Sequence, residues 1–415
     1  MAKQSPSYHF APGDTVSAAG KHSQPYPWEQ RKLGEIATIV GGGTPSTKNS
    51  EYWDGDINWY SPAEIGNQIY AKKSERQITE LGLKKSSAKL LPVGTVLFTS
   101  RAGIGKTAIL NKEACTNQGF QSIIPRSKML NSYFLFSRTN SLKQYGETMG
   151  SGSTFVEVSG KQMSKMPLFI PNINEQSKIA KLFQSLDRTI TLHEEKQCQL
   201  EQLKKALLQK MFADETGYPV LRFKGFTEKW EQRKLGEIAN IVRGASPRPI
   251  KNPKWFDESS DIGWLRISDV TEQDGRVYHL NQHISKLGET KTRVLTEPHV
   301  LLSIAATVGK PLINYCKTGV HDGFLIFQKP HFNLEFMFQW LTSFEDKWKK
   351  YSQPGSQVNL NSDIVKNQNI AIPSIEEQEK IGQLFQSLDR TITLHDKKIQ
   401  YLKQLKRGLL QKMFV

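Results

Sequence analysis

Two sets of polar and cationic residues stand on Gly-, Pro- and Ser-rich stretches of this 415-residue chain. The first comprises Thr44, Ser46, Lys48, Tyr60, Ser61, Ser100, Arg101 and Lys106, and the second Arg243, Ser246, Arg248, Arg266, Ser268, Ser303 and Lys310. Lys and Arg pair with phosphates and guanine edges, and Ser, Thr, Asn and Gln meet base edges, so these types on turn-rich loops suit DNA reading. The competing reading of each residue is a solvated surface group. A formal charge of +16 and a pI near 9.5 point to an anionic partner. Nucleic acid is favoured over a membrane surface, because the chain shows no long apolar run and no basic amphipathic helix of membrane type.

Catalytic chemistry is not written in a complete form. Methyl transfer to adenine needs an NPPY-like tetrapeptide and a Gly-rich cofactor loop, and the nearest string, NPKW at Asn252–Trp255, lacks the second Pro. The tract GIGKT, Gly103–Thr107, has Ser100 where a phosphate-binding loop needs Gly, so it reads as a turn. The nine His residues include no HExxH or paired metal spacing, and Glu376, Glu377 and Lys380 fit a helix start better than a nuclease site. No catalytic and no metal-ligating residue is therefore assigned. Cys115, Cys198 and Cys316 are odd in number and share no CxxC spacing, which fits a reducing cytoplasm.

The loops are carried by a frame that the chain states twice. Phe183–His193 recurs unchanged as Phe385–His395, at an offset of 202 residues. The same offset carries Trp28–Ala37 (WEQRKLGEIA) onto Trp230–Ala239, and Gln209–Phe212 onto Gln411–Phe414. A period of this size is that of a domain, so the chain is a tandem domain pair and not a solenoid. Between the shared words the copies diverge: residues 41–165 and 243–367 correspond in pattern but not in residues. Val96–Ser100 and Val300–Ile304 read as strands, which makes each variable part mixed α and β. Trp59 and Trp264 read as core anchors and not as stacking platforms.

Helical signals follow each variable part. Asn172 with Glu175 and Ser374 with Glu377 have capping-box spacing, each just after a Pro. Leu200, Leu203, Leu207 and Met211, and likewise Leu402, Leu405, Leu409 and Met413, form an apolar seam that needs a partner helix. A helix from Glu175 to Lys210 is about 54 Å long at roughly 1.5 Å per residue, too long to hide against one small domain. The economical partner is the other copy, paired antiparallel about a pseudo-twofold.

The fold class expected is α+β: two mixed α/β recognition domains in tandem, each followed by a long helix, the two helices pairing as an antiparallel coiled coil. The boundaries expected are a poorly ordered tail at 1–27, domains at 28–173 and 213–373, and helices at 174–212 and 374–415.

The whole layout resembles the DNA specificity subunit of type I restriction-modification enzymes. The resemblance rests on WEQRKLGEIA, a divergent part with GGTPS and SRAGIGKTA…TNQGFQSI, then IPxIxEQxKI…FxxLDxxI, all said twice over residues 28–415. It implies a non-catalytic, cytoplasmic subunit in which each domain reads half of a bipartite asymmetric sequence in double-stranded DNA, with the helices setting the gap. It also implies two modification (methyltransferase) subunits bringing S-adenosylmethionine, and two restriction subunits using ATP and Mg. No cofactor belongs to this chain on that reading, and no membrane is involved. Residues 1–27 depart from the family pattern, which has a lead-in like Leu221–Phe226. The rival reading is a basic coiled-coil adaptor whose two heads bind proteins.

Overall fold

The computed structural model describes residues 28–414 except 67, 102, 151–156, 272, 274, 306 and 352–359. The tail expected at 1–27 lies outside the described residues. The chain divides into two compact units, one running through Arg188 and taking in residues from Leu405 onward, the other Thr189–Gln404. Both cuts fall inside long helices, Ile173–Lys210 and Ile375–Met413, so each unit owns the start of one helix and the end of the other. The boundaries expected from sequence assign each helix to a segment of its own.

Each unit opens identically. Glu29–Lys32 pairs antiparallel with Pro167–Ile170, and Glu231–Lys234 with Asn369–Ile372. A one-turn helix follows, Leu33–Ile36 or Leu235–Ile238, burying its Leu and Ile. The opening tract thus resolves into strand, turn of helix and strand.

The first unit then builds a five-stranded mixed sheet in the order Ala37–Gly41, Gln121–Pro125, Val96–Phe98, Thr107–Leu110, Tyr70–Ala71. A second sheet sets Trp53–Tyr60 between Arg76–Ile78 and Ala114–Thr116. The second unit repeats this with Asn240–Arg243, Phe324–Gln328, Val300–Ser303, Pro311–Asn314 and Arg276–Val277. Its smaller sheet orders Gly263–Leu265, Thr318–Val320 and Arg293–Leu295. In both, the central strands are buried on both faces and read as unbroken apolar runs, such as Val96-Leu97-Phe98 and Val300-Leu301-Leu302. The GIGKT tract is the turn between two of these strands: Thr99 N–H bonds Lys106 O, and Gly105 takes the left-handed φ of +96° that an L side chain resists. Gly309 does the same in the second unit with φ +88°.

The repeated helix words fasten each recognition domain to its helix. Gln176, almost fully buried, accepts from Asn131 N–H and donates to the carbonyls of Met129 and Pro171. Gln378 repeats this with Asn333 N–H and the Pro373 carbonyl. Asp187 accepts from Tyr133 Oη (2.7 Å) and Lys406 Nζ (2.6 Å). Asp389 accepts from Arg276 (3.0 Å), Gln339 (2.8 Å) and Lys204 (2.5 Å).

These bonds also fix helix direction. In the second unit His193 meets His395, Lys204 meets Asp389 and Phe212 stacks on Phe385, so partner numbers fall as the first helix is followed forwards, and the two segments run antiparallel. In the first unit Asp187 meets Lys406, and Phe183 stacks on Phe414. The seam is not the one expected. Leu203 and Leu405 are exposed at 47% and 38%, while Leu200 and Leu402 are buried. The steps 200, 204, 207, 211 carry the inward face, and Lys204 takes the inner place because Asp389 waits for its charge. The capping boxes differ from expectation too. Asn172 Oδ1 accepts from Glu175 N–H, but Glu175 and Glu377 turn their carboxylates to the Trp28 and Trp230 indoles instead of back to the cap.

Candidate nucleic-acid interface

In each unit a Gly-rich loop after the first sheet strand packs on the turn TNQGF (Thr116–Phe120) or VHDGF (Val320–Phe324). Gly43 N–H bonds Thr116 O at 2.8 Å, and Gly244 N–H bonds Phe324 O at 2.9 Å. A Cβ at Gly42 or Gly244 would lie 1.9 or 2.2 Å from a backbone carbonyl of the facing turn, so only Gly permits the approach. Trp59, buried as expected, donates its indole N–H to the Gly43 carbonyl at 2.9 Å and anchors the loop from below. Trp264 is buried at 1% exposure and tilts against His321.

On this shared seat the two units carry different side chains. In the first, Thr44 Oγ1 donates to Gln118 Oε1, and Asn117 Oδ1 accepts Gly119 N–H at 2.8 Å. In the second, Ser246 Oγ donates to Asp322 Oδ1 (2.8 Å), and Arg248 donates to Asp322 Oδ2 (2.6 Å). Arg243 Nε donates to the Asp322 carbonyl (2.6 Å), and Arg293 Nε to the Arg243 carbonyl (2.7 Å). His321 Nδ1 accepts Gly323 N–H at 2.9 Å, the place of Asn117. Nδ1 therefore carries no proton, and its 3.1 Å approach to Asp322 is not a charged pair. Burial pushes the His321 imidazole below its ordinary value, with Arg248 and Arg243 adding to this against the opposing pull of Asp322. Asp322 is raised by burial, but the Ser246 bond and the Arg248 and Arg243 charges outweigh that and hold it below the usual carboxylate range, with His321 adding to them only once acid has protonated its imidazole.

The sequence-selected residues separate by burial. Thr44, Ser46 and Lys48 in the first unit, and Ser246 and Arg248 in the second, lie on the loop that packs on these turns, with Arg243 at the end of the strand before it, all at least part exposed. Lys106 is exposed and Lys310 half-buried, each just after the positive-φ Gly of the strand turn. Arg101 reaches Glu157 at 3.7 Å. Arg266 is held by Asp269 through its guanidinium (2.7 Å) and its backbone N–H (2.8 Å), with exposed Ser268 between them. Ser61 is half-buried, and its backbone N–H donates to Glu64 Oε1 at 2.7 Å.

Tyr60, Ser100 and Ser303 do not reach the surface. Ser100 and Ser303 are fully buried because they stand at strand ends, where each unit's sheet is covered on both faces. Tyr60 is 2% exposed, and burial, helped by Glu64, pushes its hydroxyl up to about 12. None of the three offers its side chain to a ligand in this arrangement.

Gln118, Asn117, His321, Asp322 and Arg293 join the two seats although residue type alone does not single them out. The sequence signal for them is the matched pair of words NQGF and HDGF, which mark corresponding turns but do not say which loop they face. Outside these seats, Tyr278 is 61% exposed, stacks on Tyr315 at 5.0 Å, and lines a groove of about 910 Å³ with Arg390 and Lys397. Among the described residues no group of three His, Cys, Asp or Glu is placed to hold a metal ion, and no helix is long and apolar enough to cross a membrane.

Comparison with known proteins agrees with this duplicated architecture. The profile of the type I restriction modification DNA specificity domain matches twice, at residues 25–202 and 227–404. The type I restriction enzyme MjaIX specificity subunit of Methanocaldococcus jannaschii is 28% identical over 407 residues, covering 94% of this chain and 93% of its own. The EcoR124I/EcoR124II specificity subunit of Escherichia coli is 30% identical over 167 residues, 38% of this chain and 41% of its own. Among solved structures, the type I restriction-modification S subunit from M. genitalium shares the fold at a TM-score of 0.60 and 15% identity, covering 96% of this chain and 98% of that one.

Proposed function

Because the chain belongs to the type I restriction-modification DNA specificity family, we propose that it reads a bipartite, asymmetric DNA target, one recognition domain per half-site. One observation carries this reading: two structurally matched loop-and-turn seats, on frames that share identical words, present Thr44 on Gln118 in one unit and Ser246 with Arg248 on Asp322 in the other. Identical frames with divergent side chains suit two different half-sites. An adaptor binding proteins through its heads gives no reason for heads so different to stand on frames that share identical words.

The chain supplies recognition, and methylation of adenine and restriction fall to partner subunits. Glu29–Lys32 and Glu231–Lys234 are identical and exposed along their whole length, so they supply two equivalent docking surfaces for two modification subunits carrying S-adenosylmethionine. Two restriction subunits using ATP and Mg complete the assembly, which is cytoplasmic. The test is exchange of residues 41–165 for the corresponding part of a related chain, followed by base-resolution mapping of adenine methylation. One half of the methylated sequence should change and the other stay. An unchanged sequence overturns the reading.

A further inference from the structure

Arg248 is an exposed cation on a loop that the facing turn ties down at several points. Its side chain is 71% exposed, yet its guanidinium donates to Asp322 Oδ2 at 2.6 Å. The other Asp322 oxygen accepts from Ser246 Oγ, Ser246 Oγ accepts from Asp322 N–H at 3.1 Å, and the Asp322 carbonyl accepts from Arg243. One residue on the facing turn thus ties down positions 243, 246 and 248. A long exposed side chain ordinarily loses much rotamer freedom when it binds, and a side chain already held in place loses less. The guanidinium is a planar fork of five N–H donors, of which the Asp322 bond uses one. Guanine offers N7 and O6 side by side in the major groove, the pair of acceptors that such a fork matches. A carboxylate buttress also keeps the fork in a fixed plane, which a phosphate contact does not require.

We propose that Arg248 reads a guanine in the second half-site and that Asp322 is its positioning residue. This rests on the DNA-reading function above. In the first unit the position matching Arg248 is Ser46, as Thr44-Pro45-Ser46 stands where Ser246-Pro247-Arg248 does, so no guanidinium occupies that place and the first half-site has no guanine read in this way.

The test uses the full chain with its modification partners in cells, with adenine methylation mapped at base resolution, for wild type, Arg248→Lys, Asp322→Asn and the double variant. Both single variants should leave the first half of the sequence unchanged and relax one guanine of the second half, lowering discrimination there about tenfold or more. The double variant should be no worse than Arg248→Lys alone, because the two residues act as one unit. An unchanged second half in both single variants overturns the assignment, and so does a uniform loss of methylation at all sites, the mark of a phosphate contact. Additive losses remove Asp322 from its positioning role. If Asp322→Asn lowers the melting temperature of the chain, Arg248→Lys, at an exposed position, decides. Domain exchange run in parallel separates the two levels: if exchange changes one half but these variants change nothing, the assignment fails and the DNA-reading function stands.

Discussion

Trp230 donates its indole N–H to Glu377 at 3.1 Å, and at an offset of 202 residues Trp28 donates to Glu175 at the same distance. The first word of each repeat, WEQRKLGE, is thereby bonded to the first turn of the long helix that ends the repeat. The two sites differ in one respect. Glu377 also takes a two-pronged bond from Arg222 (2.8 Å to each oxygen) and is 1% exposed, whereas no arginine among the described residues meets Glu175, which is half-buried.

Glu377→Ala should therefore destabilise the second unit by about 2 to 3 kcal/mol, since it removes the charge-assisted bonds from Arg222 and Trp230 and leaves the part-buried Arg222 without its partner. Glu175→Ala removes a single neutral-donor bond and should cost about 1 kcal/mol. Chemical denaturation of the two variants, followed by fluorescence of the tryptophans, gives the ranking. Equal losses contradict it.

Much of this frame is legible in the sequence, because the duplication announces itself as identical words and the helices carry a 3.6-residue stripe. The precise stripe was not legible: Leu203 looks like a seam residue by type, and only the presence of Asp389 opposite explains why Lys204 displaces it. The seats were not legible either. Thr44 and Gln118 are 74 residues apart, and Ser246 and Asp322 are 76 apart, so nothing local pairs them. Type alone also misleads at strand ends, where Ser100 and Ser303 satisfy a DNA-binding pattern while lying fully buried.

The second unit should weaken in mild acid. His321 is held neutral with its imidazole below the ordinary value, so the unfolded chain binds a proton first as pH falls. The linked stability is complete above the ordinary imidazole value of about 6.5 and is lost as pH falls through it toward the lowered folded value. His321→Asn copies Asn117, which makes the same bond to the N–H two residues on. This variant should flatten the dependence between about pH 5 and 7. Thermal melting across that range checks it, and an identical slope in both proteins contradicts it.

DNA binding should fall steeply with salt. Log affinity should decline nearly linearly in log salt, with a slope of about −0.9 for each phosphate neutralised. Lys48→Ala and Lys106→Ala, at exposed positions on the first unit's loops, should each reduce that slope by about 1 and weaken all sequences alike, if each meets one phosphate. Titration of the full chain with duplex DNA at several salt concentrations measures both quantities. A flat response removes DNA as the partner, and an unchanged slope removes that lysine from the interface.

The gap between half-sites should track the length of the long helices. The helix Ile173–Lys210 is unbroken, and Lys196 is an exposed position on it between Asp187 and Lys204, the residues that make ion pairs with Lys406 and Asp389. Four residues inserted after Lys196 lengthen the helix by about 6 Å at roughly 1.5 Å per residue, while turning its C-terminal part by only about 40° beyond one full turn. DNA rises about 3.4 Å per base pair, so if the helix sets the gap, the unmethylated spacer should grow by one or two base pairs with both halves unchanged. Methylation mapping of the insertion variant reads this directly. Retention of the original spacer with full methylation shows that the helix does not act as a ruler, and loss of all methylation is excluded as a folding failure by the helical content and melting curve of the purified variant.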